Sequence, residues 1–176
     1  VIDHHEANGG MSRFEKFQYY HNKLLGLELD DKGMLELVNK FSELVMSSVI
    51  SSPEISGVSR FLDKNHERGK LSFVNSATPE KEIKQIVKLR NLDKYFTDVF
   101  GSPKSKIDNL QTILSRYNSS KNDIVFFGDA SADFEAANVL GCLFVGIGKN
   151  IEEKLSSCVP LPSSEYCLLK DFENIY

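Results

Sequence analysis

The chain of 176 residues has no apolar stretch approaching the ~20 residues that a membrane-spanning helix needs. Its first residues, Val1-Ile2-Asp3-His4-His5-Glu6, form neither the basic nor the apolar part of a secretion signal. A cytoplasmic protein without membrane association is therefore expected. Basic residues are not in excess: 21 Lys and Arg stand against 25 Asp and Glu, giving a formal charge of −4 and a pI near 5.6. No basic stripe with interleaved aromatics occurs, which argues against a nucleic-acid partner. The three cysteines, Cys142, Cys158 and Cys167, are odd in number and lack the paired spacing of zinc or redox sites. Cys142, in the run Cys142-Leu143-Phe144-Val145, reads as core packing. No Gly-x-x-x-x-Gly-Lys-Ser/Thr phosphate loop is present, and Gly146-Ile147-Gly148-Lys149 lacks the third glycine of a dinucleotide fingerprint. There is no internal repeat and no low-complexity segment.

What is present is an apolar run, Ile124-Val125-Phe126-Phe127, that leads into Gly128-Asp129-Ala130-Ser131-Ala132-Asp133. The run reads as a buried parallel strand and the following 132–140 as a helix. The loop between them lies at a strand's C-terminal end, where open α/β sheets bind their ligands. Asp129 at the strand tip and Asp133 in the first helical turn could aim hard oxygen donors at one point, which suits Mg²⁺. They could equally serve the turn and the helix N-terminus.

Two further strand ends carry polar groups. Leu71-Ser72-Phe73-Val74-Asn75 runs into Ser76-Ala77-Thr78-Pro79 ahead of a helix over 80–90, with Pro79 suited to the first helical position and Thr78 to its N-cap. The Ser76 hydroxyl, with the free amides of a turn through Ala77 and Thr78, would make an anion site. Phe96-Thr97-Asp98-Val99-Phe100-Gly101 reads as another strand, followed by Ser102-Pro103-Lys104-Ser105-Lys106 and a helix over 107–117. Lys104 or Lys106 there is a charge suited to phosphate or carboxylate.

In this order, Asn75-Ser76-Ala77-Thr78-Pro79-Glu80-Lys81-Glu82, Gly101-Ser102-Pro103-Lys104-Ser105-Lys106 and Gly128-Asp129-Ala130-Ser131-Ala132-Asp133 resemble motifs two, three and four of the haloacid dehalogenase superfamily, in its capped, phosphoglycolate-phosphatase-like branch. The resemblance implies a Rossmann-like parallel sheet with a small helical cap and a Mg²⁺-dependent phosphatase of small phosphorylated metabolites. By it, Ser76 and Lys106 are catalytic: Ser76 bonds the transferred phosphoryl group and Lys106, next to its helix, neutralises it. Asp129 and Asp133 serve the metal. Ala77, Thr78 and Arg13 contact substrate.

The helical segment is read as residues 1–56 and the α/β segment as 57–176, divided by the polar connection Ser51-Ser52-Pro53-Glu54-Ile55-Ser56-Gly57. Residues 12–46 carry two amphipathic patterns, Phe14, Phe17, Leu24 and Leu25, then Leu35, Val38, Phe41, Leu44 and Val45. Gly10-Met11-Ser12-Arg13 resembles the family's cap loop, with Arg13 facing an anionic group of the substrate; Ser12 also reads simply as an N-cap. His4 and His5 read as solvated. Beyond residue 57, helices and strands alternate, as in a parallel sheet, with further strands at 143–147 and 166–169.

The family's nucleophile, on a first strand ending in Asp-x-Asp, has no counterpart in these residues. Without it aspartyl-phosphate chemistry cannot proceed. The resemblance puts that strand at the sheet centre, between the strands ending at Ser76 and at Gly128, so the expectation is a sheet interrupted there and no turnover by these residues alone. A non-catalytic anion-binding protein and a phosphomutase, whose second phosphate would suit Arg13, are the alternatives.

Overall fold

The computed structural model describes residues 1–155 and 166–175; Cys158 lies outside them. The helical segment contains α1 (Ile2–Ala7), α2 (Arg13–Tyr19), continued by a π-helical turn over Tyr20–Leu25, and α3 (Asp31–Ser51). The sequence patterns foretold α2 and α3; α1 is too short to carry one. Ser12 opens α2 as a reciprocal cap, its hydroxyl accepting the Glu15 amide at 3.3 Å while the Glu15 carboxylate accepts the Ser12 amide at 3.0 Å.

After α4 (Val58–Glu67), strand and helix alternate as β1 (Phe73–Pro79), α5 (Glu80–Leu89), β2 (Asp98–Ser102), α6 (Lys106–Arg116), β3 (Val125–Gly128), α7 (Ser131–Leu140), β4 (Leu143–Ile147), α8 (Ile151–Leu155) and β5 (Tyr166–Leu169). Every ladder is parallel: β1 pairs with β2, and β3 with β4, which pairs with β5. The architecture is thus α/β with parallel sheets, and among the described residues the strands form two sheets rather than one, since β1 and β3 are not paired. The interruption falls between the strand carrying Ser76 and the strand ending at Gly128.

The period-2 alternation of strand side chains distributes the core over both faces of the β3–β4–β5 sheet. Phe126 and Phe144 pack on one face with Leu110 of α6 and with Phe134 and Ala137 of α7; Cys142 belongs to this cluster. Phe127, Val145 and Ile147 pack on the other with Phe61 of α4 and Phe172. Ile124-Val125-Phe126-Phe127 reads in sequence as a fully buried strand, yet Val125 is 45% exposed. The open edge of β3 leaves it uncovered.

One local expectation is corrected. Pro79 ends β1 in extended conformation (ψ 135°), paired with Ser102, instead of opening the helix. Thr78 consequently does not cap α5, and no side chain does.

Phe144, 2% exposed and set edge-on to Phe134 at 5.4 Å between ring centroids, is a test of the core. Phe144→Ala is expected to cost roughly 3–5 kcal/mol in urea unfolding, whereas Leu44→Ala, at an exposed position of α3, should stay within about 0.5 kcal/mol.

Candidate active site at the C-terminal strand ends

β1 and β2 pair residue for residue from Phe73–Asp98 to Asn75–Phe100, then resume at Pro79–Ser102. Ser76, Ala77 and Thr78 therefore stand opposite Gly101 alone and bulge from the ladder, which frees their amides from strand pairing. The Ser76 hydroxyl accepts the Thr78 amide at 3.1 Å and folds the bulge on itself. A side chain at 101 could not be accommodated: a Cβ there would lie 2.5 Å from Thr78 O and Glu80 Cα.

Asn75, next to Ser76, donates its amide to the Lys106 carbonyl at 2.8 Å. Lys106 is the first residue of α6, capped by Ser105 with Asp108 in a reciprocal box. Its ammonium forms an ion pair with Asp133 of α7, whose other carboxylate oxygen accepts the Ala130 amide at 3.2 Å. One chain of contacts thus runs from β1 through α6 to α7 and joins the two sheets. Gly128 makes the last step fit, because a Cβ there would lie 2.3 Å from that of Asp133.

The two carboxylates of the acidic loop differ sharply in environment. The Asp133 side chain is 5% exposed, and burial raises its pKa above the ordinary carboxylate value although Lys106 and the Ala130 amide pull the other way. Asp129 is 67% exposed and lies 3.7 Å from the Lys154 ammonium. Among the described residues no group of three or more His, Cys, Asp or Glu side chains is set to hold a metal. Two carboxylates completed by water and substrate oxygens do suit Mg²⁺, which often takes only one or two from the protein. Of the two, Asp129 is the exposed hard oxygen donor, whereas both oxygens of Asp133 are engaged, by Lys106 and by the Ala130 amide.

The cap loop closes over this loop. Gly10 has φ 80°, and a Cβ on it would meet the Cβ atoms of Ala130 at 3.0 Å and Ala132 at 3.1 Å. Arg13, expected to face the substrate, gives its fork to Glu82 of α5 at 2.7 and 3.0 Å, with Ser42 of α3 also 2.7 Å away. A carboxylate supplies the planar partner that guanidinium prefers, so Arg13 ties cap to core. The nearby His4 stacks on Tyr19 with ring centroids 4.0 Å apart. Lys16 is buried 3.3 Å from His5 Nδ1, and its desolvation lowers its pKa.

Three participants were not foreseen from sequence. Glu82 and Asn109 are polar residues at core positions of amphipathic helices, beside Ile86 and Val87 and beside Leu110 and Ile113. That misfit was a readable signal. Asn109, fully buried, donates to Asn75 Oδ1 at 3.2 Å and Gly101 O at 3.3 Å. Asn75 itself carried no signal beyond its place at a strand end.

A parallel-stranded α/β body, a helical segment packed against it and polar groups gathered at the strand C-termini define the architecture. The family profile of haloacid dehalogenase-like hydrolases matches residues 13–147, and the chain belongs to that family. Among solved structures, β-phosphoglucomutase from Clostridium difficile aligns with TM-score 0.77 at 15% identity, over 100% of this chain and 78% of that one. A predicted phosphatase from Clostridium acetobutylicum gives 0.74 at 17%, over 94% and 76%. A predicted phosphoglycolate phosphatase from Haemophilus somnus gives 0.68 at 16%, over 97% and 78%. At these identities the likeness is one of fold. No curated protein matches the chain. Among the described residues no helix is long and apolar enough to cross a membrane.

Two ion pairs yield predictions. Lys106→Met leaves Asp133 buried without its cation, a loss of roughly 3–5 kcal/mol at pH 7. Asp133 has its folded pKa raised, so the penalty for ionising it in the fold is absent below its unfolded pKa of about 3.9, grows as pH rises toward the folded pKa, and is complete above it. The destabilisation by Lys106→Met should therefore shrink at pH 4, measured by urea unfolding at both pH values; equal losses would contradict this assignment. Arg13→Ala, by breaking the Glu82 pair, should cost about 3 kcal/mol and raise amide exchange in α2 and α3, and an unchanged exchange pattern would show that the pair does not hold the cap.

Proposed function

We propose that this hydrolase-family chain carries the phosphate-binding part of a Mg²⁺-dependent phosphatase acting on small phosphorylated metabolites. The observation that supports it most is the Asn75–Lys106–Asp133 chain of contacts, which draws the Ser76–Thr78 bulge, one cation and the acidic loop together at the C-terminal ends of the strands.

In this reading the bulge amides and the Ser76 hydroxyl bind phosphoryl oxygens. Lys106 balances their charge, shared between substrate and Asp133. Asp129 would hold Mg²⁺, and Asp133, its oxygens engaged by Lys106 and the Ala130 amide, would support that site through water; the ion would screen the charge on the phosphoryl oxygens. Closure of the Gly10 loop on Ala130 and Ala132 excludes water around the bound ester. The two helices that begin at Glu80 and Lys106 both point their N-termini toward the same edge, adding favourable potential for an anion.

Phosphoryl transfer in the family manner needs an attacking carboxylate. Asp133 is committed to Lys106 and the Ala130 amide, and Asp129 lies beside Lys154. This favours, as the second reading for these residues, binding without turnover. The Arg13 fork, which a mutase reading would give to a second phosphate, holds Glu82 here.

The test is isothermal titration of the chain with small phosphomonoesters in the presence of Mg²⁺, paired with an assay of phosphate release. Saturable Mg²⁺-dependent binding is expected, weakened at least about tenfold by Lys106→Ala or Asp129→Asn, with no release of phosphate. Binding unaffected by either substitution would contradict the proposed site, and turnover would contradict the assignment of both carboxylates.

A further inference from the structure

Asn109 is fully buried on α6, on the face that otherwise presents Leu110 and Ile113 to the core. An apolar residue would fill such a place without bringing polar groups out of water. The Asn109 Nδ2 donates to Asn75 Oδ1 at 3.2 Å and to the Gly101 carbonyl at 3.3 Å, and among the described residues its Oδ1 has no partner. An acceptor buried without a hydrogen bond is destabilising. What the amide contributes is therefore held in its two donors.

Only one orientation of the amide works. Asn75 Nδ2 donates to the Lys106 carbonyl at 2.8 Å, and that carbonyl can only accept. Asn75 Oδ1 is thus turned toward Asn109, which has to meet both this oxygen and the Gly101 carbonyl with N–H. Turning either amide over would set oxygen against oxygen. Donation runs one way, from Asn109 to Asn75 and on to Lys106, so that it leaves α6 and returns to it one turn nearer the helix start.

Both receiving positions border the Ser76–Thr78 bulge. Asn75–Phe100 is the last pair before Ser76, Ala77 and Thr78 leave the ladder, and Gly101 alone faces them. One side chain of α6 therefore grips both strands where the bulge opens, and through Asn75 ties them to the residue that carries the cation. We propose that Asn109 is a positioning residue of the phosphate site: it touches no ligand, but fixes the distance between the Ser76–Thr78 donors and the Lys106 ammonium. A binding group is only as well placed as the side chains that lock it. The inference rests on the phosphate-binding reading of the bulge and adds to it the residue that sets its geometry. Asp129 follows β3, in the other sheet, and no bond of Asn109 reaches it. Loss of the Asn109 amide should therefore weaken anion binding and spare the metal, a split that uniform destabilisation would not produce.

The test uses the 176-residue chain and three variants. Asn109→Ser removes the amide, Asn75→Ser breaks the same bracket from the strand side, and Ile113→Val is a buried change one turn further along α6 that leaves the bracket whole. Isothermal titration with MgCl₂ alone, then with phenyl phosphate in MgCl₂, is read beside ¹⁵N relaxation of the Ala77 and Thr78 amides. Both serine variants are expected to bind phenyl phosphate at least about tenfold more weakly, with Mg²⁺ affinity within about twofold of the native chain. Order parameters at Ala77 and Thr78 should fall from about 0.85 toward about 0.6. Ile113→Val should match the native chain in all three measurements. The proposal is overturned if the serine variants keep native order parameters at the bulge, if they lose Mg²⁺ and phenyl phosphate binding in equal measure, or if Ile113→Val reproduces the split. Should the native chain bind no phenyl phosphate, the phosphate reading falls, and the order parameters alone decide for or against Asn109. Should Asn109→Ser fail to fold, Asn75→Ser carries the same test.

Discussion

A lysine at the first position of a helix stands against the helix dipole, which favours an anion there. Lys106 occupies that position in α6, and the nearest compensation is Asp133, a carboxylate set in the first turn of α7, where the dipole does favour it. The pair is nearly removed from water, so neither partner can be lost cheaply. It also spans the interruption between the two sheets. Because no ladder connects β1 to β3, their alignment depends on α6, which packs against β1, β2 and α7, and on this ion pair at its end. The polar site and the relation between the sheets are therefore one problem with one solution.

The cap is held by a second interaction of the same kind. Arg13, Glu82 and Ser42 come from α2, α5 and α3, so one buried fork fixes two cap helices to the body. Phe41 adds its ring face, 4.8 Å from the guanidinium carbon. Together with the small residues Gly10, Ala130 and Ala132 at the contact, this describes a cap seated over the acidic loop. Opening it would expose the Glu82 carboxylate unless solvent or an anionic ligand's counterion replaced Arg13.

Strand ends and helix starts were legible because each rests on a few adjacent residues: Phe126-Phe127 before Gly128-Asp129, and Ser12 ahead of α2. Thr78-Pro79 misled, since the same dipeptide that opens helices also fits a strand end, and pairing with Ser102 decided for the strand. The partners of charges were not legible. Nothing local to Arg13 names Glu82, 69 residues away, and only the polar misfit of Glu82 on an apolar stripe hinted at a buried cation. Exposure of Val125 was likewise hidden, because it depends on what lies beside β3 and not on β3 itself. The family resemblance did anticipate where the sheet would be interrupted, a matter of topology that periodicity cannot reach.

The central claim is that the Lys106–Asp133 pair couples the two sheets at the site. A double-mutant cycle with Lys106→Met and Asp133→Leu, read by urea unfolding, measures that coupling directly. The account predicts a coupling energy above about 1.5 kcal/mol, the double variant being more stable than the sum of the single losses allows. Additive losses, with a coupling below about 0.5 kcal/mol, would contradict it and leave the alignment of the sheets to apolar packing by α6 alone.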